Sequence, residues 1–309
     1  MHIFIPTNSA DGTCDILVES LKEKGVSVFR WNVDLWRYYE IEVDDQHITF
    51  SDPAGRKLNL LIDDVYLLWR KPFIEQVEEL ENDSNEGDKK FLRSQIHQIL
   101  LLIVSAMSKR NRVVLVEPYA DRRLPKLFQL QTASKYFQVP AFAFSIQKNI
   151  LPDPIITKPM GSSLVGSKIL YTTKVPSLSL KRPFAWFVQT ALVGGTDVTA
   201  VYIDGDVYFY ECEFSRDDQK IDWRREINAP NQSAWKPLQV DEGPKISTKA
   251  LMTEFNLKYG RLDFIKLDDV LWFLECNSNG QFGWLDDESF ALHDRFAAAA
   301  IAACETFPA

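Results

Sequence analysis

The stretch GRLDFIKLDDVLWFLECNSNGQFGW, Gly260 to Trp284, decides how the rest of the chain is read. It reads as a β-hairpin with an acid on each strand, Asp263 and Glu275, and an amide, Asn277, just beyond. Opposed residues of an antiparallel pair lie on one face, so Asp263 and Glu275 face together only if the loop holds an odd number of residues. A three-residue loop at Asp268, Asp269 and Val270 sets Asp263 directly across from Glu275. Asn277, two residues on, then points the same way. Together they make a compact set of hard oxygen donors, without histidine or cysteine, of the kind that holds magnesium against nucleotide phosphates. The same residues also suit an exposed surface hairpin, and the remainder of the chain has to decide between the two readings.

The chain of 309 residues is 46% hydrophobic and 12% aromatic, enough for a large core spread over two domains or three small layers sharing a cleft. Acidic residues outnumber basic ones, 43 to 35, for a formal charge of −8, which disfavours non-specific binding to nucleic acid or an anionic membrane. Cys14, Cys212, Cys276 and Cys304 lie far apart with no CxxC pair, against structural zinc or a disulfide framework and in keeping with a reducing cytoplasm. The longest apolar run, Ile99 to Met107, is too short to span a bilayer, and Met1 to Pro6 lacks the features of an export signal. The expectation is a soluble cytoplasmic protein.

HIFIP, an amphipathic helix from Cys14 to Lys24 and VSVFRW form one βαβ unit, with no GxGxxG after its first strand and so no nucleotide expected at that turn. Alternating segments EIEVDD and HITFSD follow, then the strand DDVYLLWRKPF. Arg70 stands at the carboxyl end of that strand, where α/β sheets place ligands; a surface arginine lying along Trp69 is the plainer reading. Glu75 to Lys90 reads as a loop, Phe91 to Arg110 as a helix and VVLVEP as a strand leaving the first domain. A helix from Lys126 to Phe137 and the short strands VPAFAFS and PIITKP come next. Lys158 follows the second strand, just before GSSLVGS, a loop able to fold over phosphates, although a lone lysine there is ordinarily a solvated charge. Asp204-Gly205 between apolar alternations marks a second hairpin. In SRDDQKIDWRREI the neighbours Asp222, Trp223 and Arg224 suggest an arginine aimed by a carboxylate and backed by an aromatic ring, within a run that also suits a solvated loop.

KLFQLQTASKYFQVPAFAFS, IITKP, WFVQ, DWRR, GRLDF and LECNSNGQFGW together resemble the ATP-grasp superfamily, and within it the microviridin-type peptide ligases that make graspetides. The resemblance runs from Trp69 onward, and its last motif is the most specific. Asp263, Glu275, Asn277, Asn279, Gly280, Gln281 and Trp284 fill the family's acid, Glu-x-Asn, Asn-Gly-Gln and tryptophan positions, with Ser278 where proline is usual. It implies mixed α/β and α+β architecture: an N-terminal Rossmann-like pre-ATP-grasp domain over 1–117, a central ATP-grasp subdomain over 118–187, and a C-terminal subdomain with the metal site over 188–309. ATP and Mg2+ would be the cofactors. Asp263, Glu275 and Asn277 would hold the metal, Lys126 and Lys158 the phosphates with Asn277, and Gln189 the adenine hinge. Arg224, aimed by Asp222, would stabilise an acyl phosphate and the tetrahedral intermediate after it, and Arg70 and Arg216 would contact substrate.

The resemblance implies an ADP- and phosphate-forming ligase that closes ω-ester or ω-amide rings between side chains of a ribosomal precursor peptide, whose leader and core segments are its partners. A homodimer is expected, without nucleic acid or membrane. A RimK- or glutathione-synthetase-like ligase of small amino-acid substrates is the alternative. A catalytically weak nucleotide- or peptide-binding protein is a third reading, motivated by one departure: Thr199 stands where this group commonly carries a phosphate-binding arginine, so that Arg216, Arg225 or Lys174 would have to replace it. The adjacent Gly194-Gly195 pair is expected to loosen the entrance to that strand.

Overall fold

The computed structural model describes residues 1–76, 85–145, 151, 154–158, 160, 164–165, 168–169, 172–175, 186–215, 235–285 and 291–306. Contacts divide the chain into two compact units, one of Met1–Ala120, Leu257–Tyr259 and Ser278–Ala309, the other of Asp121–Asn256 and Gly260–Asn277.

In the first unit, β1 (His2–Thr7), α1 (Gly12–Glu23) and β2 (Ser27–Asn32) form the expected βαβ turn. The carboxylate of Asp11 caps α1 by accepting from the Cys14 N–H, and Gly25, at φ 79°, takes the left-handed conformation that ends the helix. The meander β3 (Glu40–Val43), β4 (Ile48–Ser51) and β5 (Lys57–Asn59) precedes β6 (Val65–Leu67). β1 lies between β2 and β6, parallel to both, which is why Ile3, Phe4 and Ile5 are fully buried. The meander closes one side through Phe50, whose ring lies 4.9 Å from Phe4 and 5.0 Å from Trp31.

Two expectations for this unit fail. VVLVEP is not a strand: Leu67 bridges Val113, but the backbone turns at Leu115 with φ 54° and the ladder stops there. The helix α2 (Glu86–Lys109) starts within the segment read as loop, because Asn85 caps it by accepting from the Asp88 N–H. Ile96, Leu100, Ile103 and Met107 form its buried stripe. Among the described residues α2 alone is long and apolar enough, by length and composition, to cross a membrane, a test that core helices of soluble folds also pass.

The second unit starts at Asp121, within the one-turn α3 (Ala120–Arg123), and continues into α4 (Lys126–Ala133). Its first sheet takes the antiparallel order β11 (Thr173–Val175), β8 (Ile155–Thr157), β12 (Trp186–Thr190), β7 (Phe142–Ser145), and β9 (Leu164–Val165) pairs separately with β10 (Lys168–Ile169). Its second sheet has the order β15 (Trp235–Pro237), β14 (Asp206–Ser215), β13 (Thr196–Ile203), β16 (Tyr259–Leu267), β17 (Val270–Asn277). The helix α5 (Glu242–Glu254) leads into β16, and after β17 the chain re-enters the first unit and closes on α6 (Leu292–Glu305). There α6 packs on α1, Asp294 accepting from Ser20 Oγ at 2.7 Å and pairing with Lys24 at 2.7 Å.

The Asp204-Gly205 hairpin forms as expected: both residues have positive φ, 43° and 105°, and Ile203 pairs with Asp206. The β16–β17 hairpin reaches its expected pairing by another route. Its loop is two residues, Asp268 and Asp269, at φ 50° and 61°, with Leu267 opposite Val270. That register alone would turn Asp263 and Glu275 to opposite faces, but a bulge after Glu275's neighbour Leu274 restores them, so that Phe264 faces Phe273 while Asp263 faces Glu275. The two glycines of Gly194-Gly195 differ: Gly194 takes a left-handed φ of 81° with open space around it, whereas a Cβ on Gly195 would lie 2.5 Å from Ile265 Cγ2 and 2.8 Å from the Lys266 carbonyl oxygen, so only glycine at 195 lets β13 approach β16 there.

Candidate functional site

The bulged hairpin brings four polar side chains to one face in two cross-strand pairs, Asp263 with Glu275 and Arg261 with Asn277. The intervening residues Leu262, Phe264, Phe273 and Cys276 face the other way and are buried, which fixes the orientation of the polar set. The carboxylate of Asp263 lies within hydrogen-bond distance of four donors. Oδ1 takes Thr199 Oγ1 at 2.9 Å and Arg261 Nε at 3.2 Å; Oδ2 takes Arg261 Nη2 and Asn277 Nδ2, both at 3.0 Å. Because the Asn277 amide nitrogen donates to a carboxylate, its Oδ1 is left as the acceptor end.

Glu275 meets a different cation, Lys126, whose Nζ lies 2.9 Å from Oε2. Burial alone would raise the carboxyl's pKa, but Lys126, with Lys158 and Arg261 at longer range, holds it down at about 2. Lys158, at the end of β8, also lies with its ammonium 5.9 Å from the centre of the Phe187 ring. Cys276, between Glu275 and Asn277, points into the core, where burial pushes its thiol far up and keeps it neutral and unreactive.

Lys126 is aimed by Gln129, one turn along α4. The buried Gln129 amide donates from Nε2 to the Cys276 carbonyl at 3.0 Å and accepts the Cys276 N–H on Oε1 at 2.7 Å. β17 is an edge strand, so these groups have no further strand to pair with, and one side chain takes over the ladder and pins α4 to the strand between Glu275 and Asn277. Nearby, the Phe273 N–H donates to the Gln138 carbonyl at 2.9 Å, covering the next stretch of the same edge.

The donor set fits a divalent cation of the magnesium type. Asp263, Glu275 and the Asn277 Oδ1 are hard oxygen donors on one face, and three such groups leave the remaining octahedral positions for water or phosphate oxygens. Among the described residues there is no cluster of three His, Cys, Asp or Glu side chains, so a site closed entirely by protein is not built there. Gln189, on β12, carries a second sign of a ligand: it is fully buried, and neither its amide oxygen nor its nitrogen has a hydrogen-bond partner.

Of the residues singled out from the sequence, Lys126, Lys158, Asp263, Glu275 and Asn277 are brought together electrostatically, while Gln189 stands apart on the other sheet of the same unit. Arg70 belongs to the first unit and is not a surface arginine, and its Nε and Nη2 are buried without a hydrogen-bond partner among the described residues. It is fully buried, 3.8 Å from Asp11 Oδ2, 3.5 Å from the Gly280 carbonyl and 5.8 Å from the centre of the Tyr259 ring, so its guanidinium ties the start of α1 to the Gly280 turn. Asp222, Arg224, Arg216 and Arg225 lie outside the described residues, as does most of GSSLVGS. The sequence reading missed Gln129 and Arg261. Gln129 carried no signal, since its partner Cys276 is 147 positions away. Arg261 could have been found by extending the parity argument one step, from the Asp263–Glu275 pair to the residue opposite Asn277.

Two antiparallel sheets with flanking helices in one unit, one ending in a hairpin that presents paired acids, make this an ATP-grasp fold. Solved structures bear this out. The macrocyclase MdnC of Microcystis aeruginosa, bound with precursor peptide MdnA, superimposes with a TM-score of 0.77 at 18% identity over 98% of this chain and 100% of its own. The Chryseobacterium gregarium RiPP-associated ATP-grasp ligase, in complex with ADP and a leader and core peptide, gives 0.77 at 20% identity over 97% of this chain and 96% of its own. The D-alanine–D-alanine ligase of Bacillus anthracis, complexed with ATP, gives 0.57 at 10% identity over 99% and 97%. No protein-family model matches the chain, and no curated protein sequence does.

Proposed function

We propose that the protein is an ATP-dependent ligase that joins side-chain carboxylates of a ribosomally made precursor peptide to hydroxyls or amines of the same peptide, as ω-esters or ω-amides. The observation that carries this reading is the charge pattern of one hairpin face: two acids and an amide flanked by Lys126, Lys158 and Arg261. Such a face suits a metal-bridged triphosphate, with anions for the metal and cations for the phosphates. The similarity to peptide-acting ATP-grasp structures at a TM-score of 0.77, against 0.57 for a ligase of free amino acids, favours a peptide over a small-molecule substrate.

Bound ATP would supply the phosphoryl group that turns a carboxylate into an acyl phosphate, from which the peptide's own hydroxyl or amine displaces phosphate. In this reading Asp263, Glu275 and Asn277 Oδ1 hold Mg2+. Lys126, fixed by Gln129, and Lys158 lower the cost of gathering phosphate charge, and the orphaned Gln189 amide gains its partners from the adenine base. Asp222 and Arg224 remain the proposed pair for the acyl phosphate, and Arg216 a proposed substrate contact. The first unit, with β2, β1 and β6 in a parallel sheet, is the proposed pre-ATP-grasp domain, and the precursor's leader and core are the proposed partners in a cytoplasmic setting.

The test is mass spectrometry of a short peptide encoded beside the gene, incubated with the protein, ATP and Mg2+. Loss of one water per bond formed is expected. An unchanged peptide, with phosphate released only when a free amino acid is added, would replace this reading with that of a small-molecule ligase.

A further inference from the structure

Both acids of the hairpin face already have cationic partners: Lys126 on Glu275, and Arg261, through two nitrogens of its fork, on Asp263. The second pairing bears directly on metal binding. A carboxylate offers about four lone-pair sites; Arg261 Nε, Arg261 Nη2 and Asn277 Nδ2 take three of those on Asp263, and the fourth faces the Thr199 hydroxyl, whose one proton lies between Asp263 Oδ1 and the Leu262 carbonyl. A cation that takes both oxygens of Asp263 meets the Arg261 fork, which holds a site on each of them. Thr199 and Asn277 are short side chains on neighbouring strands, whereas arginine has a long stem that can swing while its charge stays near the site.

We propose that Arg261 is a nucleotide-binding residue that exchanges partners: it neutralises Asp263 before the metal arrives, then passes to the phosphate oxygens when the metal takes Asp263. The inference rests on the ATP-dependent reading above and deepens it. The guanidinium fork matches two phosphate oxygens as well as it matches one carboxylate, so the exchange conserves a bidentate, charge-assisted contact. It also assigns a task to position 199. Thr199 cannot reach a phosphate with a fork of its own, but its hydroxyl lies 2.9 Å from the Asp263 oxygen that Arg261 also holds and 3.1 Å from the Leu262 carbonyl, with its one proton to donate to either. Position 199 therefore orients the acid, and the cation comes from the neighbouring strand.

The test compares full-length wild type with Arg261→Met by calorimetry, using a non-hydrolysable ATP analogue with Mg2+, AMP, and Mn2+ alone. Removing a charge-assisted contact to phosphate should weaken the triphosphate analogue roughly tenfold to a hundredfold. AMP, which has no β- or γ-phosphate, should bind as before, and Mn2+ alone should bind more tightly because Asp263 has lost its competitor. Arg261→Lys keeps the charge but not the fork and should fall between the two, and it serves equally if Arg261→Met does not fold. Equal triphosphate affinity in the variants, an equal loss for AMP, or weaker Mn2+ binding would each overturn the exchange while leaving the ATP-dependent reading intact. Wild type that binds neither nucleotide would remove that reading and this inference together.

Discussion

Replacing Gln129 with leucine tests whether one side chain holds α4, and with it Lys126, against β17. Leucine is close in volume to glutamine, so the change opens little cavity, and its cost is mainly lost hydrogen bonding. Three bonds go: Nε2 to the Leu124 carbonyl at 2.8 Å, Nε2 to the Cys276 carbonyl at 3.0 Å, and the Cys276 N–H to Oε1 at 2.7 Å. The stranded Cys276 N–H is the costly one, since β17 is the edge of its sheet and no further strand can accept it, while each carbonyl keeps a second lone pair. At about 1–3 kcal/mol for a buried unsatisfied group, the substitution should destabilise the unit by about 3 kcal/mol. Urea unfolding followed by tryptophan fluorescence measures this, and hydrogen exchange at the Cys276 amide, expected to quicken more than its neighbours, localises it. A loss under about 0.5 kcal/mol, the scale of an ordinary surface change, would refute the reasoning.

Asp263→Ala and Glu275→Ala should each abolish turnover while leaving the circular dichroism spectrum of the fold in place; wild-type rates in either would count against the metal assignment. Glu275 titrates below its ordinary 4.5, held down to about 2 by Lys126, Lys158 and Arg261 against the effect of burial. Its depressed pKa therefore adds stability that is complete above about pH 4.5 and lost as the pH falls toward 2, and Glu275→Gln should remove that part of the acid transition. Gly195→Ala should cost about 1–3 kcal/mol, because the Lys266 carbonyl, being backbone, cannot give way to a Cβ. A thermal melt unchanged from wild type would contradict the close approach of β13 to β16.

Much of the hairpin face was legible because parity is a strong constraint: acids at 263 and 275 with an amide at 277 share a face whatever their surroundings, provided the register is even-handed. The route to that register was not legible. Asp268-Asp269 forms a two-residue turn, and the bulge at Leu274 that compensates has no local signature, since it depends on an edge strand whose backbone is taken over by Gln129 and Gln138. VVLVEP misled for the opposite reason. Its composition is that of a strand, but Leu115 sits in a left-handed turn that composition does not reveal. Gly194-Gly195 was read from its conformational freedom, whereas what selects glycine at 195 is the nearness of a second strand. All four cysteines are free and buried.

The central claim is that one hairpin face holds the metal of a metal–triphosphate complex. The most direct measurement is a crystal structure with a non-hydrolysable ATP analogue and Mn2+, with the metal located by its anomalous scattering. The account predicts the anomalous peak within bonding distance of oxygens from Asp263, Glu275 and Asn277, with the γ-phosphate on its far side. A peak coordinated by none of the three, with the triphosphate lying elsewhere, would contradict it.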